Sequence, residues 1–164
     1  MTRETTTNSE QDAYWLAESV ARATQNVVDG GGPFGALIVA GGEILATGVN
    51  RVTRDNDPTA HAEVTAIRQA CRQRGDFRLS GAVLYTSCEP CPLCLSAALW
   101  ARLDRVVFAA DRYDAARGGF DDLEFYELFA TERALWPTEV VGVTMPTAVA
   151  PFDAWLANED RVSY

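Results

Sequence analysis

Ala82-Val83-Leu84-Tyr85-Thr86-Ser87 runs straight into Cys88-Glu89-Pro90-Cys91-Pro92-Leu93-Cys94. The first six residues read as a short apolar strand that empties into a cysteine motif. Leu93 to Arg102 then carries a helical pattern and Arg105 to Ala110 a strand pattern. Strand, helix and strand in that order imply a parallel pair within a three-layer αβα domain. In open sheets of this type, sites form beyond the carboxyl ends of the strands, which is where the cysteines fall.

Working outward, Thr59 to about Arg74 is patterned as a helix, with Ala62, Ala66, Ile67, Ala70 and Cys71 on one side and Gly75 as its stop. A polar loop, Arg51 to Pro58, delivers the chain to that helix. Upstream of it, Phe34 to Ala40 and Glu43 to Asn50 read as two strands joined by a Gly41-Gly42 hairpin turn. Ser9 to about Asp29 reads as an amphipathic helix whose apolar stripe is Ala13, Leu16, Ala17, Val20, Ala23 and Val27, stopped by Gly30-Gly31-Gly32. Downstream, Asp111 to Asp122 is a loop with one helical turn, and Leu123 to about Arg133 is a helix. Val140 to Thr144 reads as a final strand, Pro151 to about Ala157 as a last short helix, and Asn158 to Tyr164 as a polar tail. No linker or repeat interrupts the chain, so the expected organisation is a flexible arm over residues 1–8 and one domain over 9–164.

Composition narrows the function. With 164 residues, 48% apolar and 23% charged, the chain can bury a core of its own. No apolar run is long enough to cross a bilayer and Met1 to Glu10 is polar, so a soluble cytoplasmic protein without a membrane partner is expected. The formal net charge is −9 with no Lys/Arg cluster, which disfavours nucleic acid and favours small uncharged substrates. Of the four cysteines, Cys88, Cys91 and Cys94 lie three apart, a clustering that suggests metal or catalysis rather than bridges.

His61 is the only histidine, in His61-Ala62-Glu63. One imidazole and the Cys91 and Cys94 thiolates form a ligand set suited to Zn2+, one ion per chain, with the fourth position open. A water in that position would be acidified toward a pKa of about 7, and Glu63 is placed to take its proton and pass it on. Residues two apart on a regular helix point about 200° apart, so His61 and Glu63 cannot both aim at one ion from inside it. His61 therefore belongs at the lip of a helix with Glu63 in its first turn, while Cys91 and Cys94 share one face of a second helix start. Three other readings stand beside this one: a closed structural site with Cys88 as fourth ligand, a redox C-x-x-C, and a non-catalytic zinc-stabilised binding module. Glu63 has no task in the first two.

With their neighbourhoods added, these motifs resemble a known family. The stretches that carry the resemblance are Gly31 to Ala36, Asn56 to Arg68, Leu84 to Cys94, Trp100-Ala101-Arg102 and Gly119-Phe120-Asp121-Asp122. H-x-E with P-C-x-x-C is the signature of zinc nucleobase deaminases. The sequence resembles the cytidine deaminase-like superfamily and, within it, the small zinc-dependent bacterial guanine deaminases. That resemblance implies a three-layer αβα fold with a mixed five-stranded sheet, and hydrolytic deamination of guanine to xanthine and ammonia, with His61, Cys91 and Cys94 on zinc and Glu63 as proton shuttle. It implies that Asn50 and Asp122 hydrogen-bond the purine, that Phe34 and Trp100 wall the pocket, and that Tyr164 closes over the site in a domain-swapped homodimer. From residue type alone Asn50 also suits a turn, Asp122 a helix N-cap, Phe34 and Trp100 a core, and Tyr164 a frayed end. Guanosine, cytosine and tRNA adenosine are the alternative substrates of the same chemistry.

Overall fold

Gly35–Ala40 (β1) is apolar throughout and buried along nearly its whole length, as a strand covered on both faces must be. It is an inner strand of the sheet in a computed structural model that describes residues 8–164. The arm expected over residues 1–8 lies outside the described residues except for Asn8, the first residue of helix α1 (Asn8–Val28). The chain divides into two compact units, one ending at Tyr126 and the other spanning Glu127–Tyr164.

In the first unit β1 turns through Gly41 and Gly42, at φ +61° and +82°, into β2 (Glu43–Val49). Ala40 pairs with Glu43, so this is a two-residue hairpin loop of the kind that requires positive φ at both positions. The short helix α2 (Val52–Asp55) and helix α3 (Ala62–Arg74) follow, then β3 (Ala82–Cys88), α4 (Pro92–Trp100), β4 (Arg105–Ala110), α5 (Arg112–Arg117) and α6, which starts at Asp122 and ends at Phe129. The strand order is β2-β1-β3-β4, with β1 antiparallel to both neighbours and β3 parallel to β4. On one face of this sheet Ala36, Ile38 and Leu84 pack with the α3 residues Ala62, Ala66 and Ile67 and with Ala98 of α4. On the other, Leu37, Val39 and Tyr85 pack with Trp15 of α1. Helices cover both faces, and the parallel pair expected around the cysteine motif is present.

Several expectations are corrected. Among the described residues the mixed sheet has four strands, not five. Val140 to Thr144 is not a strand. Its β-branched residues have the local propensity, but a strand exists only where another backbone takes its hydrogen bonds, and among the described residues none does. The loop expected over Arg51 to Pro58 contains α2, closed by Asn56 in the left-handed conformation.

The largest correction concerns α1. Its buried residues are Trp15, Ser19, Ala23 and Asn26, while Ala13, Ala17, Val20 and Val27 of the expected stripe are exposed. Backbone proximity is the reason. A Cβ on Gly35 would lie 2.5 Å from the Ser19 carbonyl oxygen and 2.7 Å from the Ala23 nitrogen, so α1 rides on β1 where only small side chains fit. At its start α1 is tied down by Asp12, which accepts a hydrogen bond from the Tyr85 hydroxyl (2.7 Å) and pairs with Arg105 (2.8 Å). Burial, and then the Asp12 hydrogen bond, push the Tyr85 pKa up to about 12.

In the second unit α6 ends at Phe129, whose ring meets that of Trp136 edge-on at 5.1 Å. A single 3-10 turn spans Arg133–Leu135, and helix α7 spans Ala150–Ala157. No residue from 127 to 164 is buried. Among the described residues no helix is long and apolar enough to cross a membrane.

Candidate active site

Two helices begin at one point. His61 occupies the N-cap position of α3 in an extended conformation (φ −67°, ψ 155°), with Glu63 in the first turn. Cys91 occupies the same position on α4 (φ −65°, ψ 168°), followed by Pro92, whose fixed φ and missing N–H suit a first helical residue. One turn on, Cys94 comes back beneath Cys91. The lip geometry expected for His61 and Glu63 is present, and so is the shared face of the two cysteines.

The His61 Nδ1 atom lies 3.5 Å from the Cys91 Sγ and 3.3 Å from the Cys94 Sγ, and the two sulphurs are 3.7 Å apart. A tetrahedral zinc ion with bonds of about 2.3 Å to sulphur and about 2.0 Å to nitrogen needs its sulphurs about 3.8 Å apart and each about 3.5 Å from the nitrogen. The three side chains therefore fit the ion in both chemistry and spacing. Each thiol shifts the other: the hydrogen bond from Cys94, and then that with His61, hold the Cys91 pKa down at about 4, while Cys94 is pushed up by the same bond and by burial. The His61 pKa is raised, first by its bond with Cys91. Cys88 is not part of the cluster. Its thiol donates to the Asp111 carbonyl oxygen at 3.6 Å, and burial pushes its pKa up to about 12. With Cys88 bonded to Asp111 instead, the cluster among the described residues is His61, Cys91 and Cys94 alone.

Glu63 is buried beside this cluster. Its Oε1 accepts a hydrogen bond from the Thr86 hydroxyl (3.2 Å), and its Oε2 is 3.4 Å from the Cys94 Sγ. Burial raises its pKa, so the carboxyl can hold a proton as well as accept one.

In front of the cluster lies a cavity of about 440 Å³ whose wall includes Phe34, Asn50, His61, Glu63, Phe120 and Asp122. Asn50 is buried just after β2. Its Oδ1 accepts from the Val52 N–H at 3.3 Å, and among the described residues no protein group takes its Nδ2. Asp122 is the first residue of α6 rather than a cap before it, and burial raises its pKa. The rings of Phe34 and Phe120 meet edge-on at 4.8 Å.

Trp100 does not join this wall. It stands 61% exposed at the end of α4, beside Leu99 and Arg102, and within this chain Phe120 supplies the second aromatic ring. Tyr164 belongs to the second unit, where its ring lies 6.3 Å from that of Trp155.

Sequence reasoning missed Phe120, the α2 residues Val52 and Thr53, and the Gly30–Gly32 turn as parts of the wall. It also missed Asn26. This buried residue of α1 donates through Nδ2 to the carbonyl oxygens of Gly32 (2.8 Å) and Asn50 (2.9 Å), which holds the glycine turn against the end of β2. A lone polar residue between the exposed faces of a helix pattern gives no such signal. Phe120 had one, because it lies inside the Gly119-to-Asp122 motif.

Comparison with known proteins agrees with this geometry. Residues 9–110 match the family model of the cytidine and deoxycytidylate deaminase zinc-binding region. A guanine deaminase of Bacillus subtilis (strain 168) is 50% identical over 154 residues, 92% of this chain and 97% of the relative. The X-ray structure of guanine deaminase from Bacillus subtilis superposes with a TM-score of 0.89 at 46% identity, over 93% of this chain and 98% of that one. A tRNA-specific adenosine deaminase of Buchnera aphidicola is 37% identical over 112 residues, 68% of this chain and 74% of the relative. By motif, by the spacing of the three side chains that could hold a metal ion and by these matches, the chain belongs to the cytidine and deoxycytidylate deaminase zinc-binding family.

Proposed function

We propose that the protein is a zinc-dependent aminohydrolase that converts guanine and water to xanthine and ammonia. The observation that carries this reading is the buried Glu63 carboxyl, set between a zinc-fitting ligand cluster and a cavity offering Asn50, Asp122 and two phenyl rings. Likeness to a guanine deaminase along 92% of the chain supports the choice of substrate.

His61, Cys91 and Cys94 would hold one zinc ion, which when bound lowers the pKa of water to about 7 and so supplies the nucleophile at neutral pH. Glu63 would take a proton from the attacking water as its oxygen bonds to guanine C2. Electron density moves to N3, where Glu63 delivers the proton, and Glu63 then carries the second proton to the departing amine as the C2–N bond breaks. The Thr86 hydroxyl holds one carboxyl oxygen in place during these transfers. Asp122 accepts from adjacent purine N–H donors and the Asn50 amide donates to a ring acceptor, while Phe34 lies against the flat heterocycle. A net charge of −9 supports a free base rather than a polyphosphate substrate, and a small-molecule purine enzyme of the cytoplasm is the consistent setting.

We further infer a homodimer in which the C-terminal segment reaches the neighbouring subunit. Three observations support it. No residue from 127 to 164 is buried, β4 ends the sheet with no strand on its outer side, and the apolar Val140 to Thr144 has no ladder partner among the described residues. Trp100, exposed on its own chain, and Tyr164 are the pocket residues this assembly would supply. Deleting Asn158 to Tyr164 is expected to lower guanine turnover at least tenfold (about 1.4 kcal/mol) with one zinc per chain retained. Full activity in the shortened protein would show that the tail has no part in the site.

The reading itself is tested by ammonia release from the zinc-loaded protein with guanine, guanosine, adenine, cytosine and cytidine side by side, and with a tRNA anticodon stem-loop. Guanine is expected to dominate. Preference for another base would leave the four motif residues in their roles and reassign Asn50 and Asp122.

A further inference from the structure

Just outside the cavity, three side chains from three separate segments interlock. Arg112, the first residue of α5, donates from its backbone N–H and its Nε to the Glu89 Oε2, both at 3.0 Å, and from its guanidinium to the Glu89 Oε1 at 2.6 Å. The same guanidinium lies over the Tyr126 ring, 3.5 Å from its centroid. The Tyr126 hydroxyl donates in turn to the Pro90 carbonyl oxygen at 2.6 Å. Glu89 and Pro90 immediately precede Cys91, and Tyr126 stands one helical turn after Asp122 on α6.

We propose that Glu89, Arg112 and Tyr126 form a clasp that sets the distance between the zinc-ligand loop and Asp122, so that Tyr126 is a positioning residue for purine binding. The proposal rests on Asp122 being a purine contact, as argued above. Its logic is geometric. Asp122 and Cys91 lie on different elements with no covalent path shorter than the intervening chain. The Tyr126 hydroxyl provides a direct link: it joins α6, one turn from the carboxylate, to the carbonyl one residue before the metal ligand. A helix tethered one turn beyond Asp122 cannot slide along its axis without breaking that bond. The remaining members keep Tyr126 itself from moving. The bidentate Arg112–Glu89 pair is only partly exposed, and the guanidinium that completes it covers one face of the ring. The Glu89 N–H also donates to the Ala110 carbonyl oxygen (2.8 Å), which fixes the loop to the end of β4. Tyr126 is neither a member of the metal-fitting cluster nor a lining residue of the cavity, so its effect on substrate passes through Asp122.

Tyr126→Phe removes the hydroxyl and keeps the ring under Arg112, so folding and the Arg112 stack survive. In this variant KM for guanine is expected to rise about fivefold, the scale of one lost hydrogen bond, with kcat within twofold and one zinc per chain retained. Asp122→Asn is expected to raise KM by about fifty-fold, as loss of a charged acceptor does. In the doubly substituted protein Tyr126→Phe should change KM by less than twofold, because the carboxylate it positions has gone. The guanine Kd, measured in proteins that also carry Glu63→Gln, should follow the same pattern without turnover. A Tyr126→Phe protein with native KM and Kd, or one with the same fivefold change in the Asp122→Asn background, would overturn the clasp while leaving guanine as substrate. Native KM and Kd in Asp122→Asn itself would overturn both the purine role of Asp122 and the clasp that depends on it.

Discussion

Glu63→Gln is expected to reduce guanine turnover by about three to four orders of magnitude, the scale of a lost general acid–base, while one zinc per chain remains bound. Glutamine keeps the volume and still offers the Thr86 hydroxyl an acceptor, so the buried pocket for this side chain is preserved. What disappears is the ability to take a proton. An amide cannot accept it from water and cannot return it to a ring nitrogen or a departing amine, so both halves of the transfer fail together. Burial has raised the native carboxyl's pKa, which brings it nearer neutrality and nearer the partners it serves. Zinc content by metal analysis, guanine affinity by titration and ammonia release separate the possible causes. Turnover within tenfold of the native protein would remove Glu63 from the proton path. Lost zinc would make it a structural neighbour of the metal instead.

The second large effect lies away from the chemistry. Gly48 of β2 lies against the first turn of α3: a Cβ there would press on the Ala62 carbonyl oxygen and approach the Ala66 nitrogen to 2.6 Å. Both are backbone atoms, which cannot swing aside as a side-chain tip can. On its other side Gly48 is held in register with Ala36 of β1, so the strand cannot retreat. Gly48→Ala must therefore lift α3, and α3 begins with His61 and Glu63. Overpacking of a rigid contact costs about 3 kcal/mol at the upper end of its usual range, or about 10 °C in Tm for a chain of this size. Zinc occupancy and kcat should fall with stability, because the displaced helix carries His61 and Glu63, the proposed metal ligand and proton carrier. Native Tm together with native zinc content would show that α3 and β2 have room to separate.

What could be read from the residues alone divides by the range of the forces involved. The placing of His61 at a helix lip followed from the angle between residues two apart, a purely local constraint, and the structure has it. The strand, cysteine motif and helix from Ala82 to Trp100 were legible for the same reason, since each element carries its own pattern, cap or proline. The stripe on α1 was misread because periodicity records which residues are apolar and not how close the helix lies to the sheet. Gly35 brings it near enough that Ser19 and Ala23 face inward and the valines face out. Val140 to Thr144 failed as a strand for the complementary reason, propensity without a partner. Within the cavity, Asn50, Phe34 and Asp122 meet although they are far apart in sequence. Val52 and Thr53 were invisible because only folding turns them toward the same space, whereas Phe120 lay inside a motif already singled out.

One feature of the metal centre reaches into how the protein can be studied in solution. The sole imidazole of the chain sits half-buried at the N-cap of α3, with its Nδ1 turned to two sulphurs and its ring in the cavity wall. Every imidazole signal in a magnetic-resonance spectrum of the native sequence therefore comes from this one position. Loading of the ion, exchange of one metal for another and arrival of a base beside it would each shift the same few lines, with nothing else of that type to overlap them. The protein carries a built-in, single-site spectroscopic reporter, and it requires no label.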